Sequence, residues 1–379
     1  MRLYPKSFIC QAKQSLLVQT NLIMYSYCMG SALDPELKKE LEKESLRYGS
    51  DDKPGFFRQK ISGKFKYYDL DGKKINDKKV IERIESLGIP PAWKHVWISP
   101  KTNTHLQATG IDDKKRKQYI YHPDWIKISQ QNKFSKMVDF GLNLPKIRSR
   151  VKYDLGRDDL DKRKIIATVV WLLEHTFIRI GNENYSKEND SYGLTTLRNR
   201  HVTVRGDEIK FDFVGKSGVP NELSVSNPTV AKIIKKCIEL PGYEIFKFID
   251  EKGDRKVVDS QDINEFLKEI TNDDFSAKDF RTWGATDLSA NIFYKLGNAP
   301  DKKILKTNIK DTVKKVSEHL NNTISVCRSY YIHPTVIETY TKEILVPHFG
   351  KHSGKKSSKG LSWDELALIK LLEKYPPIV

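Results

Sequence analysis

Residues 162–181 read KRKIIATVVWLLEHTFIRIG, and this stretch and the next one decide the class of fold. Its apolar residues recur at the i, i+3, i+4 and i+7 spacing of a helix that is buried against a core, and a glycine supplies the stop signal. Residues 202–225 then read VTVRGDEIKFDFVGKSGVPNELSV, in which apolar and polar residues alternate and two turn signals, Gly206-Asp207 and 215–218, divide the run. We therefore predict a buried helix followed by a three-stranded antiparallel sheet with Lys216 in its second turn.

The sequence pattern changes near residue 130. Residues 54–125 hold short β-like runs separated by turn signals, a polar stretch follows at 129–133, and helical periodicity dominates beyond it. We predict an α+β protein in which a small β-rich domain precedes a mainly α-helical domain containing the three-stranded sheet. The predicted divisions are an N-terminal extension at 1–50, the β-rich domain at 51–128, a linker at 129–135, the helical domain at 136–348, and a basic linker with a last helix at 349–379.

The charge of the chain indicates the kind of partner. Among 379 residues, 66 Lys and Arg face 49 Asp and Glu, so the formal net charge is +17. This excess predicts a polyanionic partner, because each phosphate that a protein neutralises releases counterions. Nucleic acid is the favoured partner, and an anionic membrane surface is much less favoured. No stretch approaches the roughly 18 apolar residues of a membrane-spanning helix, so we expect a soluble protein with no membrane partner.

The sequence gives little support for a nucleotide-binding loop, a metal site or a disulfide framework. Residues 215–217 resemble the end of a phosphate-binding loop, but Lys210 stands where that loop needs a glycine. His348 and His352 have helical spacing, yet Gly350 lies between them and no third ligand is near in sequence. The cysteines show no disulfide or zinc spacing and fit a reducing intracellular compartment: Cys10, Cys28, Cys237 and Cys327. We predict neither a cofactor nor a metal.

A set of cations and one tyrosine remains as the candidate for chemistry: Arg179, Lys216, Arg281 and Tyr331. Each has an ordinary explanation when it is taken alone. An arginine at a helix end caps carbonyl groups, a lysine in a turn is solvated, and a tyrosine usually packs in a core. The motifs around them carry the functional signal.

Four motifs in chain order resemble those of the type IB DNA topoisomerases of the small poxvirus and bacterial kind. They are residues 177–181 followed by Tyr185, 187–189 and 193–197; residues 213–216; residues 278–284; and residues 322–331. Residues 110–122 are similar to the DNA-contacting segment of that family, so the resemblance extends from about residue 50 to about residue 345. It implies a monomeric, C-shaped clamp around double-stranded DNA.

The resemblance also implies a reaction and its residues. A tyrosine oxygen attacks a phosphodiester, forms a 3′-phosphotyrosyl link and expels a 5′-hydroxyl, and religation reverses the step without ATP or metal, which relaxes positive and negative supercoils. Tyr331 corresponds to the nucleophile, Arg179 and Arg281 to the two arginines, and Lys216 to the general acid. Guanidinium groups donate bidentately to phosphate and stay protonated, and a lysine pKa is readily lowered by neighbouring cations, so these side chains suit the roles.

Two positions leave alternatives open. Poxvirus members have a histidine nine residues before the tyrosine, whereas this chain has Asn322, as some bacterial members do; an amide donates a hydrogen bond but carries no charge. His319 is a less favoured substitute because it is out of register by three residues. Tyr330 precedes Tyr331 directly, but the spacing from Asn322 and the following Ile-His-Pro favour Tyr331.

Further DNA contacts follow from the resemblance. The residues implied are Arg116, Lys117, Gln118, Tyr119, Tyr121, Tyr185 and Lys278. Arg116 and Lys117 would contact phosphates, Gln118 would pair with adenine in the major groove, and the tyrosines would stack or contact phosphates, while Lys278 would assist proton transfer. The alternative explanation for residues 116–121 is a basic surface strand with two half-buried tyrosines.

Two other functions compete with this assignment. A tyrosine recombinase usually has His-x-x-Arg where this chain has Lys278-x-x-Arg281, and its N-terminal domain is helical. A catalytically silent DNA-binding protein of the same fold would not be expected to keep the full Arg, Lys, Arg, Tyr set. We expect an intracellular, DNA-associated protein, located in the virion if the source is viral and in the cytoplasm or nucleoid if it is bacterial.

Overall fold

An antiparallel five-stranded sheet forms the first part of the computed structural model, which describes residues 41, 45–113, 115–183, 186, 190–354 and 360–376. The chain divides into two compact units after Lys133. The strands of the first unit pair in the order β2-β1-β3-β4-β5. They are β1 (Phe56–Ile61), β2 (Lys64–Tyr68), β3 (Lys94–Ile98), β4 (Leu106–Ile111) and β5 (Lys117–Tyr121), with helix α1 (Lys78–Ser86) between β2 and β3.

Residues before the predicted boundary at 51 contribute to the core of this unit. Leu41 and Leu46 are buried in one hydrophobic cluster with Tyr121 and Trp125. The backbone of Arg47 bonds across to the chain near β4, since its N–H donates to Asn103 O at 2.7 Å. The described part of the predicted N-terminal extension is therefore packed against the sheet.

Leu46→Ala is expected to lower the free energy of unfolding of the first unit by about 2–4 kcal/mol, because a buried leucine leaves a cavity when it is truncated. The leucine is only 4% exposed. Urea denaturation of the full chain, followed by tryptophan fluorescence, measures the change. Leu70→Ala is the matched control, because Leu70 is 53% exposed; equal destabilisation by both variants would contradict the placement of Leu46.

The segment predicted as a linker at 129–135 is helical in the structure. It forms the second half of α2 (Pro123–Ser135), and the division between the two units falls within this helix. Trp125 and Ile128 are buried on its first half. Once a helix is anchored in this way, glutamine and lysine extend it at little cost, so a polar composition alone does not mark a linker.

The second unit is mainly helical and contains the predicted three-stranded sheet, so the α+β expectation is confirmed. Its helices are α3 (Met137–Leu155), α4 (Lys162–Thr176), α5 (Pro228–Glu239), α6 (Ser260–Thr271), α7 (Ala277–Leu296), α8 (Lys302–His319), α9 (Ile324–Tyr330), α10 (Pro334–Thr341), α11 (Leu345–Gly350) and α12 (Trp363–Lys374). The sheet has the order β6-β7-β8, formed by Val202–Arg205, Glu208–Val214 and Pro220–Ser226. A short antiparallel pair, β9 (Lys247–Ile249) and β10 (Arg255–Val257), follows α5.

Helix α4 lies in the centre of this unit. The Asp161 side chain caps its first turn by accepting from Lys164 N, and Ile165, Val169 and Leu173 on it are fully buried. The helix contacts α3, α7 and the strand β8. Its C-terminal end is consequently held at a fixed position, from which the next residues enter the candidate site.

The last helix, α12, packs against other helices of the second unit. Arg148 on α3 donates to both carboxylate oxygens of Glu365 on α12, at 2.5 and 2.9 Å, and to Glu174 on α4 at 2.7 Å. Such a bidentate, partly buried pair combines charge with fixed geometry. Residues 355–359 of the predicted basic linker lie outside the described residues.

Candidate active site

Arg179 lies in a short irregular segment just beyond α4. The helix ends at Thr176 because Phe177 adopts a left-handed backbone conformation, with φ of 52°. Leu194 N donates to the Arg179 carbonyl at 2.8 Å. Gly193 makes this approach possible, since a Cβ there would lie 2.5 Å from the same carbonyl oxygen. Residues 193–197 of the first motif therefore hold the Arg179 backbone in place.

Arg281 is buried in α7 and is held by two backbone carbonyls. Its side chain is part of a residue that is 4% exposed, and it donates from Nη1 to Phe177 O and from Nη2 to Leu320 O, the latter at 2.8 Å. Its Nε is buried without a hydrogen-bond partner among the described residues. The guanidinium group is thus fixed by its two Nη atoms while its Nε–H has no acceptor among the described residues.

Gly284, one turn after Arg281, lets the two arginine segments come together. The Phe177 ring packs directly on it, and a Cβ at position 284 would lie 2.1 Å from the ring. Because Arg281 binds the carbonyl of the same Phe177, the glycine sets the distance between α7 and the end of α4.

Asn322 is oriented by Arg179. Arg179 Nη2 donates to Asn322 Oδ1 at 2.6 Å, and this bond identifies the oxygen of the amide. Asn322 Nδ2 then points elsewhere, and it is buried with no partner among the described residues. The neighbouring Asn321 ties the same loop to the sheet, since its Nδ2 donates to Asn221 Oδ1 on β8 at 2.6 Å.

Lys216 lies in the turn between β7 and β8. Gly215 N donates to Val219 O at 2.8 Å to close the turn, and Ser217 has a left-handed φ of 67°. Burial lowers the pKa of Lys216, and the charge of Arg179 acts in the same direction, as do those of Lys278 and Arg281 to a smaller extent; together they bring it to about 8. The Tyr331 phenol acts on this pKa in the opposite direction.

The same electrostatic coupling extends to Arg179. Burial and the adjacent Arg281 lower the Arg179 pKa to about 10, and Tyr331 opposes them. A guanidinium with a pKa near 10 is still protonated at neutral pH. The site therefore concentrates positive charge around one phenol, which is the environment that stabilises an anion.

Tyr331 follows α9 directly and is 4% exposed. Its ring centroid lies 5.2 Å from Arg281 Cζ, a cation–π contact. Tyr330 is the last residue of α9 and is partly buried. The contact with Arg281 and the electrostatic interactions with Arg179 and Lys216 involve Tyr331, which makes it the better candidate for a nucleophile.

Thr286 is a site residue that the sequence reasoning missed. Its hydroxyl is fully buried, donates to Tyr331 O at 3.1 Å and accepts from His333 N at 3.0 Å. Helix α7, which carries Arg281, is thereby tied to the backbone that directly follows the tyrosine side chain. A threonine five residues after an arginine gives no sequence signal, because the partners are backbone groups about 45 positions away.

Thr286→Val is expected to slow single-turnover DNA cleavage about 10- to 100-fold, because two buried backbone groups lose their partner and the phenol can shift from its attack position. Thr286→Ser keeps the hydroxyl and is expected to cleave at nearly the rate of the parent protein. Quenched-flow cleavage at saturating protein measures the rates, and thermal unfolding of both variants checks folding. A folded valine variant that cleaves like the parent would remove Thr286 from the site.

Five of the predicted DNA-contacting residues lie on strand β5 or directly before it, in the first unit. Arg116 and Lys117 are ion-paired, with Asp112 and Asp51 respectively, each at 2.6 Å. Gln118 is fully buried, and Tyr119 and Tyr121 are buried and stack on each other with ring centroids 6.0 Å apart. In this conformation the Gln118 amide cannot reach a base, so contact with adenine would require the side chain to turn outward.

The remaining predicted residues have mixed positions. Lys278 is partly buried near the start of α7, and its charge acts on Lys216. Tyr185 lies outside the described residues. His319 packs edge-on against Phe177 with ring centroids 5.4 Å apart, and burial followed by the Arg281 charge lowers its pKa.

Two negative observations apply to the part of the chain that the structure describes. It holds no group of three or more His, Cys, Asp or Glu side chains arranged for a metal ion. Within the same residues, none of the helices has the length and apolar character needed to cross a membrane.

Comparison with known proteins assigns the chain to a family. Residues 116–352 match the catalytic core of eukaryotic DNA topoisomerase I, and residues 64–112 match the N-terminal domain of bacterial DNA topoisomerase IB. The chain therefore belongs to the type IB DNA topoisomerases, which are isomerases. The expectation drawn from the four sequence motifs is confirmed at this level.

Viral relatives are similar over much of their length. DNA topoisomerase 1B of Acanthamoeba polyphaga mimivirus is 32% identical over 303 residues, which cover 78% of this chain and 90% of the relative. DNA topoisomerase 1B of Vaccinia virus (strain Copenhagen) is 28% identical over 244 residues, covering 62% and 72%. A solved XerH site-specific recombinase bound to difH substrate aligns with 12% identity over 61% of this chain and 59% of that one, and its TM-score of 0.31 is too low to support an argument.

Proposed function

We propose that this topoisomerase relaxes positive and negative supercoils by cutting one DNA strand with Tyr331 and rejoining it, with no need for ATP or metal. The observation that carries the proposal is a pair of buried donors that have no partner among the described residues: Arg281 Nε, whose guanidinium contacts the Tyr331 ring, and Asn322 Nδ2, whose amide is held by Arg179. A buried donor without an acceptor costs free energy. A phosphate oxygen would satisfy both donors, so they support a phosphodiester as the missing partner.

The electrostatics of the site suit the attack on that phosphodiester. As the phenol oxygen of Tyr331 attacks, negative charge spreads over the non-bridging oxygens of the phosphate, and donors already held in place stabilise it without reorganisation. Arg281 is fixed by two carbonyls, and Arg179 is fixed by its backbone and by Asn322. We assign the three side chains to the two non-bridging oxygens.

Asn322 has a specific advantage in this arrangement. An amide accepts from Arg179 through Oδ1 and donates to phosphate through Nδ2 at the same time. A protonated imidazole would donate from both nitrogens and could not accept from the guanidinium. The asparagine therefore suits a site in which Arg179 supplies the positive charge and the fifth residue relays a hydrogen bond.

Lys216 is proposed as the general acid that protonates the leaving 5′-oxygen. A pKa of about 8 keeps most of the ammonium protonated at pH 7 while making it a better acid than an ordinary lysine. Lys278 would help by lowering that pKa. The 3′-phosphotyrosyl bond conserves the energy of the phosphodiester, so religation by the 5′-hydroxyl requires no ATP.

Double-stranded DNA is the proposed substrate, bound by a monomer. The +17 charge predicts binding that weakens steeply with salt. We further propose an intracellular location on DNA, with Arg116, Lys117 and Tyr185 among the contacts.

The test is relaxation of negatively and positively supercoiled plasmid in EDTA without ATP, followed by a denaturing gel for a covalent adduct. Plasmid without any special site is used, because a recombinase would need paired sites. Relaxation of both signs, with protein attached to the 3′ end of the cut strand, is the expected result. Tight, salt-sensitive binding without relaxation or adduct would overturn the proposal in favour of a silent DNA-binding protein.

A further inference from the structure

Tyr192 is a buried tyrosine outside the proposed catalytic set, and its ring contacts two arginines. Tyr192 N donates to Val214 O at 2.9 Å, so this tyrosine is anchored at the end of β7, two residues before Lys216. Its hydroxyl donates to Asp190 Oδ1 at 2.6 Å. The next residue, Gly193, packs on the backbone of Arg179. Tyr192 therefore stands between the two segments that deliver catalytic cations.

Arg198 and Arg200, called here the arginine pair, both place their guanidinium groups near the Tyr192 ring. Arg198 Cζ is 5.3 Å and Arg200 Cζ is 5.9 Å from the centroid of the Tyr192 ring. Arg200 Nη2 also lies 3.3 Å from the Tyr192 hydroxyl oxygen. Arg198 is partly buried and Arg200 is exposed. The ring thus fixes the direction of both guanidinium groups while leaving the second one open to solvent.

His201 contacts the backbone of Arg198 and the side chain of Arg200. The imidazole faces Arg198 N from Nδ1 at 3.1 Å and Arg200 Nε from Nε2 at 3.2 Å. Burial, aided by the two arginine charges, lowers the pKa of His201. The imidazole therefore orients Arg200 without supplying a negative charge.

Asp190 interacts electrostatically with both arginines but forms no ion pair with either. The Asp190 carboxylate is engaged by the Tyr192 hydroxyl, and that hydrogen bond is the main reason that its pKa is lowered. Among the described residues, neither Arg198 nor Arg200 forms an ion pair within 4.0 Å. Two positive charges on one ring, facing a single carboxylate that pairs with neither, favour the binding of a further anion beside them.

We propose that Arg198 and Arg200 form a binding site for a DNA backbone phosphate other than the scissile one. The proposal rests on DNA being the substrate, as argued under the proposed function. The scissile phosphate is assigned to Arg179, Arg281 and Asn322, which belong to other elements. A second phosphate beside the Lys216 turn would fix the register of the strand relative to the general acid.

The test measures the affinity of the full chain for a fluorescently labelled DNA duplex at several salt concentrations. Arg200→Ala is expected to weaken binding about 10-fold at 0.1 M salt and to reduce the slope of log Kd against log salt by about 1, the amount for one lost phosphate contact. Arg200→Lys is expected to keep the slope, because it keeps the charge. Arg163→Ala is the matched control, since its guanidinium already binds Glu269 at 2.7 Å.

The outcomes separate this site from the proposed function. An unchanged slope in Arg200→Ala, or an equal change in Arg163→Ala, would overturn the site, because the effect would then be absent or due to net charge. Thermal unfolding of each variant confirms that binding is measured on folded protein. Failure of the parent protein to relax plasmid would overturn the proposed reaction instead, whatever the slopes show.

Discussion

Tyr331→Phe protein is expected to bind DNA with nearly unchanged affinity and to lose relaxation and covalent adduct completely. The substitution removes only the attacking oxygen, and the ring keeps its contact with Arg281. Loss of a nucleophile lowers the rate by at least about 10⁴-fold, because the remaining groups have no covalent step to assist. Plasmid relaxation and a denaturing gel measure the two losses, and fluorescence anisotropy measures the affinity.

Tyr330→Phe is the matched control for that experiment. Tyr330 occupies the neighbouring position at the end of α9, so the variant tests the same chemistry one residue away. It is expected to relax plasmid at close to the parent rate. The reverse pattern, with activity kept in Tyr331→Phe and lost in Tyr330→Phe, would assign the nucleophile to Tyr330.

Lys216→Ala is expected to slow cleavage by about 10²- to 10⁴-fold, the usual contribution of a general acid. The loss should be largely restored on a substrate whose leaving 5′-oxygen is replaced by sulfur, because a thiolate leaves without a proton at this pH. Single-turnover cleavage of both substrates measures the effect. If the sulfur substrate is cleaved as poorly as the normal one, Lys216 acts on something other than the leaving group.

The pH dependence follows from the same residue. A general acid must be protonated, and the Lys216 pKa is lowered to about 8, so the cleavage rate should be constant below that pH and fall tenfold per unit above it. Bound phosphate raises a lysine pKa, which moves the midpoint upward in the DNA complex. The falling limb should be absent in Lys216→Ala, and a limb that persists there would belong to another group.

The sequence predicts the framework of the site well because its pattern is local. The period of residues 162–181 predicts helix α4, and the alternation in residues 202–225 predicts the sheet and the Lys216 turn, as the structure has them. The exact end of α4 is less predictable. The stop signal at Gly181 lies five residues beyond Thr176, since the left-handed Phe177 ends the helix earlier.

Features that depend on distant partners are beyond sequence reasoning. The orientation of the Asn322 amide depends on Arg179, 143 positions away, and the role of Thr286 depends on the backbone near Tyr331. The burial of Gln118 likewise depends on how β5 packs. From sequence alone, a polar residue in a basic strand is predicted to be exposed. In each case the deciding contact is tertiary.

Gly284 shows how a residue without a functional group can be under the same constraint as a catalytic one. Its only contribution is empty space for the Phe177 ring, yet the Phe177 carbonyl holds Arg281. A side chain at position 284 would displace the ring and, with it, the anchor of the guanidinium. Any requirement to keep Arg281 in position therefore also requires a glycine at position 284. A glycine that does not vary at such a position would reflect a geometric constraint and not a chemical role.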